Sequence, residues 1–196
     1  MNDKNEDPSI EKRVHMVGPY TLDISEVKME GRILDIGGGG EGIIGQFKKE
    51  KVTAIDIKKS ELEEAKDAGY LKIIMDAKDL KFLDNTFDTV TAFFSLMYVP
   101  ASDHNLIFQE IIRVLKKGGE FLLWDVNIPE RSSQAKDLYG IYLSVQIPNK
   151  LIETGYAVHW IRRKDAKYYI ETAQKVGFEI INQDIETDIF FIRFKK

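Results

Sequence analysis

The residues best suited to chemistry in this chain are a glycine cluster and three acids. Gly37, Gly39 and Gly42 satisfy the spacing GxGxxG within the run Ile33-Leu34-Asp35-Ile36-Gly37-Gly38-Gly39-Gly40-Glu41-Gly42. Glycines at these positions let the backbone turn sharply at a strand end and let a ligand approach it closely. An apolar strand precedes the run and a helical pattern follows it, which is the context such a loop requires. A dinucleotide site uses this loop to bring a pyrophosphate to a helix N-terminus. The acids argue for something else. Asp35, two residues before Gly37, repels a pyrophosphate but suits a ligand bearing an ammonium group. Asp56 ends the next strand, where a carboxylate accepts hydrogen bonds from both ribose hydroxyls, a role shared with NAD enzymes. Asp76 ends the third strand, within reach of an adenine amino group. Three acids at successive strand ends fit a cationic adenosyl ligand better than a dianionic one.

Candidates for proton transfer are fewer. The chain has 3 histidines: His15, His104 and His159. His159 lies in Tyr156-Ala157-Val158-His159-Trp160, inside an irregular segment, and is the first candidate for a base or substrate ligand. His104, near a helix start, reads as a solvated residue. Tyr20, Tyr139, Tyr142, Tyr156 and Trp160 either pack a covering segment or build an aromatic acceptor pocket. Arg162, Arg163 and Lys164 are a solvated basic turn or an attraction for an acidic substrate. Asp125 and Asn127 read as strand-end structure rather than metal ligands, so no metal is expected.

Alternating elements must position these groups. Residues 1 to about 13 have no apolar period and read as frayed. Arg32 to Ile36, Val52 to Ile57, Leu71 to Met75, Thr89 to Phe94 and Glu120 to Asp125 are strands. Ile43 to Lys49 is a helix. A second opens at Ser60, where Glu63 completes a capping box, and stops at Gly69. Ser102 caps a third, with Ile107, Ile111, Val114 and Leu115 as its buried stripe, Lys116 and Lys117 in its last turn and Gly118 as its stop. Strands apolar on both faces and alternating with helices predict a doubly wound, mostly parallel sheet. Residues 126 to about 163 show no clear period. A helix follows over Lys164 to Val176, then an antiparallel hairpin of Phe178 to Glu186 and Asp188 to Lys195.

With these motifs in place the chain resembles the class I S-adenosylmethionine-dependent methyltransferases, most closely the group acting on small molecules, including quinone precursors. The carrying residues are ILDIGGGGEG at 33–42, AIDI at 54–57, MDAKDLKFLDNTFDTV at 75–90, FFSLMYV at 93–99 and EIIRVLKKGGEFLLWD at 110–125. The resemblance implies a Rossmann-like seven-stranded sheet ending in an antiparallel hairpin strand, and S-adenosyl-L-methionine as cofactor. It implies that Gly37, Gly38 and Gly39 line the methionine portion and that Asp35 holds the amino group. Asp56 then binds the ribose with Ile57 against the adenine, and Asp76 and Ala77 meet the adenine edge. Phe94, Ser95 and Leu96 pass beneath the cofactor. The Asn/Asp-Pro-Pro-Tyr/Phe motif of amino-methylating enzymes is absent after strand four, where Ser95-Leu96-Met97-Tyr98 stands.

Composition bounds the remaining choices. The chain has 196 residues, 43% hydrophobic and 31% charged, with a net charge of −4. A chain of this length buries about 70% of its unfolded surface, enough for one substantial core. There is no cysteine, hence no disulfide, thiolate metal site or cysteine nucleophile. No apolar run near membrane-spanning length and no signal peptide are present, so a cytoplasmic protein is expected, without membrane or nucleic-acid partners. The expectation is one domain over 1–196: an N-terminal segment (1–30), a cofactor-binding core (31–126), an acceptor-side insertion (127–163) and a C-terminal helix and hairpin (164–196). It moves a methyl group to a small-molecule acceptor as a monomer or homodimer, with His159 and Tyr20 as the acceptor-side catalytic candidates. An NAD(P)-dependent oxidoreductase and a non-catalytic S-adenosylmethionine binder are the alternatives.

Overall fold

The computed structural model describes residues 12–132 and 136–196; the expectation of a frayed N-terminus lies, for residues 1–11, outside them. Strand β1 (Val14–Asp23) comes first. The glycine-loop strand β2 (Ile33–Ile36) and helix α1 (Ile43–Lys48) follow, then β3 (Val52–Asp56), α2 (Lys59–Glu64), β4 (Leu71–Ile74) and β5 (Phe87–Phe93). After these come α3 (His104–Val114), β6 (Leu115–Val126), β7 (Leu138–Ile147), β8 (Lys150–His159), α4 (Ala166–Lys175), β9 (Glu179–Ile185) and β10 (Ile189–Lys195).

Seven strands form the main sheet in the order β4-β3-β2-β5-β6-β10-β9. Strands β2 to β6 are parallel, and β10 runs antiparallel to both β6 and β9. This is the Rossmann-like, mostly parallel sheet with a terminal antiparallel hairpin that the sequence predicts. Alternate residues supply its two faces. Leu34, Ile36, Val90, Ala92, Phe121 and Leu123 face α3 and α4 in one core. Ile33, Val52, Ala54, Leu122 and Trp124 face the other way.

What covers that second face departs from the sequence reading. The helical cover there is short, with α1 packed through Ile43 and Ile44. The rest is closed by a three-stranded sheet, β1-β7-β8, with β1 parallel and β8 antiparallel to β7. Tyr139, Ile141, Leu143, Val145 and Ile147 of β7 enter the same core as Trp124. Residues 126–163, read as having no period, thus hold a hairpin whose apolar residues alternate in β7. The turn is Pro148-Asn149, with Asn149 at φ 62, the left-handed position a tight turn supplies to asparagine.

Several helix ends also differ. Ser60 lies inside α2, whose N-cap is Lys58, and Glu63 pairs with Lys59 instead of closing a capping box. The helix ends at Ala65, before Gly69. Asp103, not Ser102, is the N-cap of α3. Lys116, Lys117 and Gly118 belong to β6, where a register break against β5 absorbs them. His104 is 0% exposed rather than solvated. Its Nε2–H donates to the Leu96 carbonyl at 3.1 Å and its Nδ1 accepts from the Tyr168 hydroxyl at 2.8 Å, because α4 packs over it. Burial holds its pKa down at about 4.

The covering sheet is fastened to the hairpin through one carboxylate. Asp188 accepts from the Tyr20 hydroxyl of β1 and, at 3.0 Å, from the Tyr139 hydroxyl of β7. Tyr139 is 2% exposed, so removing its partner leaves a buried hydroxyl unsatisfied. Asp188→Ala is therefore expected to destabilise the fold by about 1–3 kcal/mol in urea denaturation. A midpoint within error of the parent would show that the clamp carries no stability.

Candidate functional site

The main sheet has one topological switch point. From β2 the chain proceeds outward through β3 and β4, then returns to β5 on the other side of β2. Ligands of open α/β sheets bind in the crevice this leaves at the carboxyl ends of the strands. A cavity of about 730 Å³ lies there. Asp35, Gly37, Gly38, Gly39, Asp56, Ile57, Asp76, Ala77, Phe94, Ser95 and Leu96 all line it, so the structure brings the cofactor-side residues of the sequence reading together.

The glycines are required by the protein itself. Gly37 has φ 70, and a Cβ there would lie 2.4 Å from Ser95 Cβ. A Cβ on Gly38 would lie 2.6 Å from Asp35 Oδ2, and one on Gly39 2.5 Å from Glu61 Cβ. The amides of Gly37 and Gly38 both donate to the Ile55 carbonyl, at 2.8 and 3.0 Å, which ties the loop to β3. Ser95 Oγ donates to the Ile36 carbonyl at 2.7 Å and ties β5 to the same point.

The three acids differ in setting. Asp35 is 2% exposed and takes one hydrogen bond, from Thr91 Oγ1 at 2.7 Å. Burial pushes its pKa up to about 7, and the nearby charge of Asp56 adds to the rise. Asp56 is half-buried, accepts from the Lys58 amide at 2.9 Å, and is raised chiefly by burial. Asp76 accepts from the Lys78 amide at 2.9 Å in the same kind of turn, and Lys78 Nζ lies 3.7 Å from its other oxygen. Ile57 is 64% exposed at the cavity edge, an apolar surface that nothing in the described protein covers.

Tyr156 of β8, read from the sequence as cap packing or an acceptor-pocket aromatic, instead borders the cofactor-side cavity. It reaches the cavity from the covering sheet and stacks on Phe94, with ring centroids 5.5 Å apart and planes 10° apart. Its hydroxyl points at Glu41 Oε2, 3.4 Å away, and burial raises its pKa. Phe94 has φ 49, a left-handed conformation that costs a bulky residue energy and persists only where the surroundings impose it. The aromatic run around Tyr156 signalled its class of residue, but only the register of β8 shows that it alone among Tyr20, Tyr139, Tyr142, Tyr156 and Trp160 borders the cavity.

The acceptor-side candidates stand apart from each other. His159 borders a second cavity of about 430 Å³, also lined by Met97, Ile128, Val158 and Lys164. Tyr20 borders neither cavity; its hydroxyl is held by Asp188, which pushes its pKa up to about 12. His15 packs its ring against Tyr139 and Trp160. Asn127 donates to the Glu186 carbonyl and accepts from the Ala166 amide, a structural role. Among the described residues no group of histidines and acids has metal-binding geometry.

Fold and site together define a Rossmann-like α/β protein with an acid-lined crevice at its switch point. The family described as "Methyltransferase domain" matches residues 34–123. The ubiquinone/menaquinone biosynthesis C-methyltransferase UbiE of Idiomarina loihiensis is 32% identical over 136 residues, 63% of this chain and 53% of that protein. The chain thus spans about half the length of the relatives it matches. A solved S-adenosylmethionine-dependent methyltransferase from Methanosarcina mazei superposes with a TM-score of 0.61 at 19% identity, over 96% of this chain and 97% of that one. Phosphoethanolamine N-methyltransferase 2 of Haemonchus contortus, solved with S-adenosyl-L-methionine, gives 0.60 at 18% identity, over 87% and 49%. Residues 34–123 thus match a methyltransferase domain, and the fold is shared with these solved S-adenosylmethionine-dependent methyltransferases.

The buried groups set a pH dependence. Asp35 binds its proton more tightly folded than unfolded, so its contribution to stability is full below about pH 4 and is lost as pH rises through about 7. His104 acts oppositely: its contribution is full above about pH 6.5 and is lost as pH falls toward 4. Asp35→Asn removes only the first. In urea denaturation from pH 4 to 8, the ligand-free variant should gain stability relative to the parent as pH rises. A difference independent of pH would refute the buried, proton-holding state of Asp35.

Proposed function

We propose that the protein transfers a methyl group from S-adenosylmethionine directly to a small-molecule acceptor. The observation that carries this reading is the convergence of Asp35, Asp56 and Asp76 on one cavity beside a glycine loop. The residues fit the cofactor. An acidic cavity suits a cation, and the exposed face of Ile57 suits an adenine ring. The half-buried carboxylate of Asp56 has accepting capacity beyond its bonds to the Lys58 and Gly39 amides, which suits a ribose diol. A pyrophosphate would meet Asp35 and Asp56 together, which counts against the nicotinamide alternative.

When bound, S-adenosylmethionine supplies a methyl group already activated on a sulfonium, so the protein needs chiefly to align the reactants and exclude water. In this reading Asp35 holds the ammonium group, Asp56 the ribose, and Asp76 with Ala77 the adenine edge. Gly37, Gly38, Gly39, Phe94, Ser95 and Leu96 form the floor. Tyr156, stacked on Phe94, closes the cavity from the covering sheet and keeps water out. His159 is the group available to take a proton from an acceptor, since its imidazole has no hydrogen-bond partner among the described residues. The labour divides unevenly along the chain: residues 31–126 supply most of the cofactor side, with Tyr156 added from β8, while residues 128–164 and the turn 97–101 line the second cavity. We place the protein in the cytoplasm, as a monomer or homodimer; among the described residues no helix is long and apolar enough to cross a membrane.

S-adenosylhomocysteine should bind with a constant on the micromolar scale, about −8 kcal/mol. Asp56→Ala should weaken it by about 1.5–3 kcal/mol while the protein stays folded. Calorimetry is the test, and unchanged affinity removes the ribose role. Once an acceptor is known, His159→Ala should leave cofactor affinity intact and lower turnover by about 10²-fold if the imidazole is a base. A loss below about threefold would make it structural.

A further inference from the structure

The two cavities adjoin and carry opposite charge. Tyr98, Val99 and Pro100 line both and so form a common wall. The cofactor-side cavity is bordered by seven carboxylates against two lysines, Lys58 and Lys78. The second cavity is bordered by Arg162, Lys164 and His159 and by no acid. The rest of its lining is largely apolar, including Met97, Val99, Ile128, Leu138, Val158 and the 77%-exposed Ile161. At about 430 Å³ it has the size of a small-molecule site.

The positive charge there is not neutralised. Lys164 Nζ donates to the carbonyls of Met97 and Val99, at 2.7 and 2.8 Å, which orient the ammonium without cancelling its charge. Arg162 makes no ion pair among the described residues, whereas the adjacent Arg163 is paired with Asp165. Burial lowers the pKa of Lys164; Asp125 opposes the shift, and Arg162 adds to it by less. The one acid acting on Lys164 is Asp125, which is 0% exposed and does not reach the lining. Burial pushes Asp125 up to about 7, so it offsets little of that charge below neutrality.

We infer that the second cavity takes an apolar, ring-sized molecule bearing a carboxylate, which Arg162 pairs at the rim while the apolar walls hold the ring, beside the cofactor-side cavity and across the wall from it. The preference for an anion rests on the cavity alone, and only the presence of a cationic neighbour across the wall rests on the methyltransferase reading. A cationic ligand on one side of the Tyr98–Pro100 wall and an anionic one on the other would attract rather than repel, which favours binding both at once.

The test uses the full chain, ligand-free and with S-adenosylhomocysteine added, and two probes alike except in charge: 2-naphthoate and 2-naphthamide. In a methyl-resolved NMR titration, 2-naphthoate should shift the signals of Ile128, Val158 and Ile161 and bind at least about fivefold more tightly than the amide. The preference should shrink as salt is raised. Arg162→Gln, at an exposed position, should abolish the preference without changing S-adenosylhomocysteine affinity. Equal affinities, a preference surviving in Arg162→Gln, shifts confined to Ile43 and Ile57 of the other cavity, or no shifts would each overturn the inference. Calorimetry with S-adenosylhomocysteine on the same sample reports separately on the methyltransferase reading: if it fails to bind, that reading falls while the charge preference of the cavity stands or falls on the titration.

Discussion

A carboxyl group buried at the centre of the sheet constrains everything around it. Asp35 occupies an inward position of β2, between β3 and β5, where a parallel sheet ordinarily carries valine or isoleucine. Burying such a group is costly unless it is protonated or partnered. Thr91, directly opposite on β5, supplies one bond, and burial supplies the raised pKa. The space Asp35 needs then fixes its neighbours. Gly38 lacks a Cβ because Asp35 Oδ2 stands there, and Ala54 presses on the same position from β3. The glycine loop is therefore shaped from below by an acid as much as from above by any ligand. An expensive carboxyl kept here, bordering the cavity, is what the proposed cationic ligand calls for.

The second constraint is the covering sheet. One face of a Rossmann-like sheet is normally clothed in helices. Here α1 has six residues and covers little. The face beyond it is closed by β1, β7 and β8, joined to the main body by packing on Trp124 and by the two tyrosines on Asp188. Strands alternate, so β8 turns Ile152, Tyr156 and Val158 to the inner side together, with Tyr156 where that side passes over the cavity mouth. Tyr156 is delivered by that alternation. A helix in the same place would present a different set of side chains and leave Phe94 without its stacking partner.

The cofactor side was legible because its information is local. A short apolar strand, a glycine run and an acid at the next strand end lie within about 25 residues, and each has a mechanism of its own. The hairpin of β9 and β10 was legible for the same reason. The covering sheet was not, although β7 alternates Ile141, Leu143, Val145 and Ile147 with polar or exposed residues. Tyr139, Tyr142 and Tyr156 blurred the pattern, and the partner β1 lies more than a hundred residues away, joined in parallel register that no local signal encodes. His104 failed differently. Its position at a helix start implies solvent, and only the distant Tyr168 and Tyr169 on α4 bury it. Capping predictions failed where charge pairs such as Lys59 with Glu63 and the direct passage from α3 into β6 replaced them.

These two constraints bear on one another. The wall between the cavities is the turn of residues 96–100, which leaves β5 just after Phe94. Its carbonyls at Met97 and Val99 are held by Lys164, and its Leu96 carbonyl by His104. Both donors come from outside the cofactor loop: His104 opens α3, and Lys164 bridges by its backbone to Ile128 at the end of β6. The wall is thus positioned by residues that border the second cavity or lie behind it, while its other side faces the glycine loop. A ligand that drew Lys164 toward an anion would loosen two of the bonds holding the wall, and one that left Lys164 in place would find the wall rigid. Arg162, free of such duties, can take the anion without disturbing the turn. That division between a cation that builds the wall and a cation that meets the ligand is what allows one short loop to serve two sites.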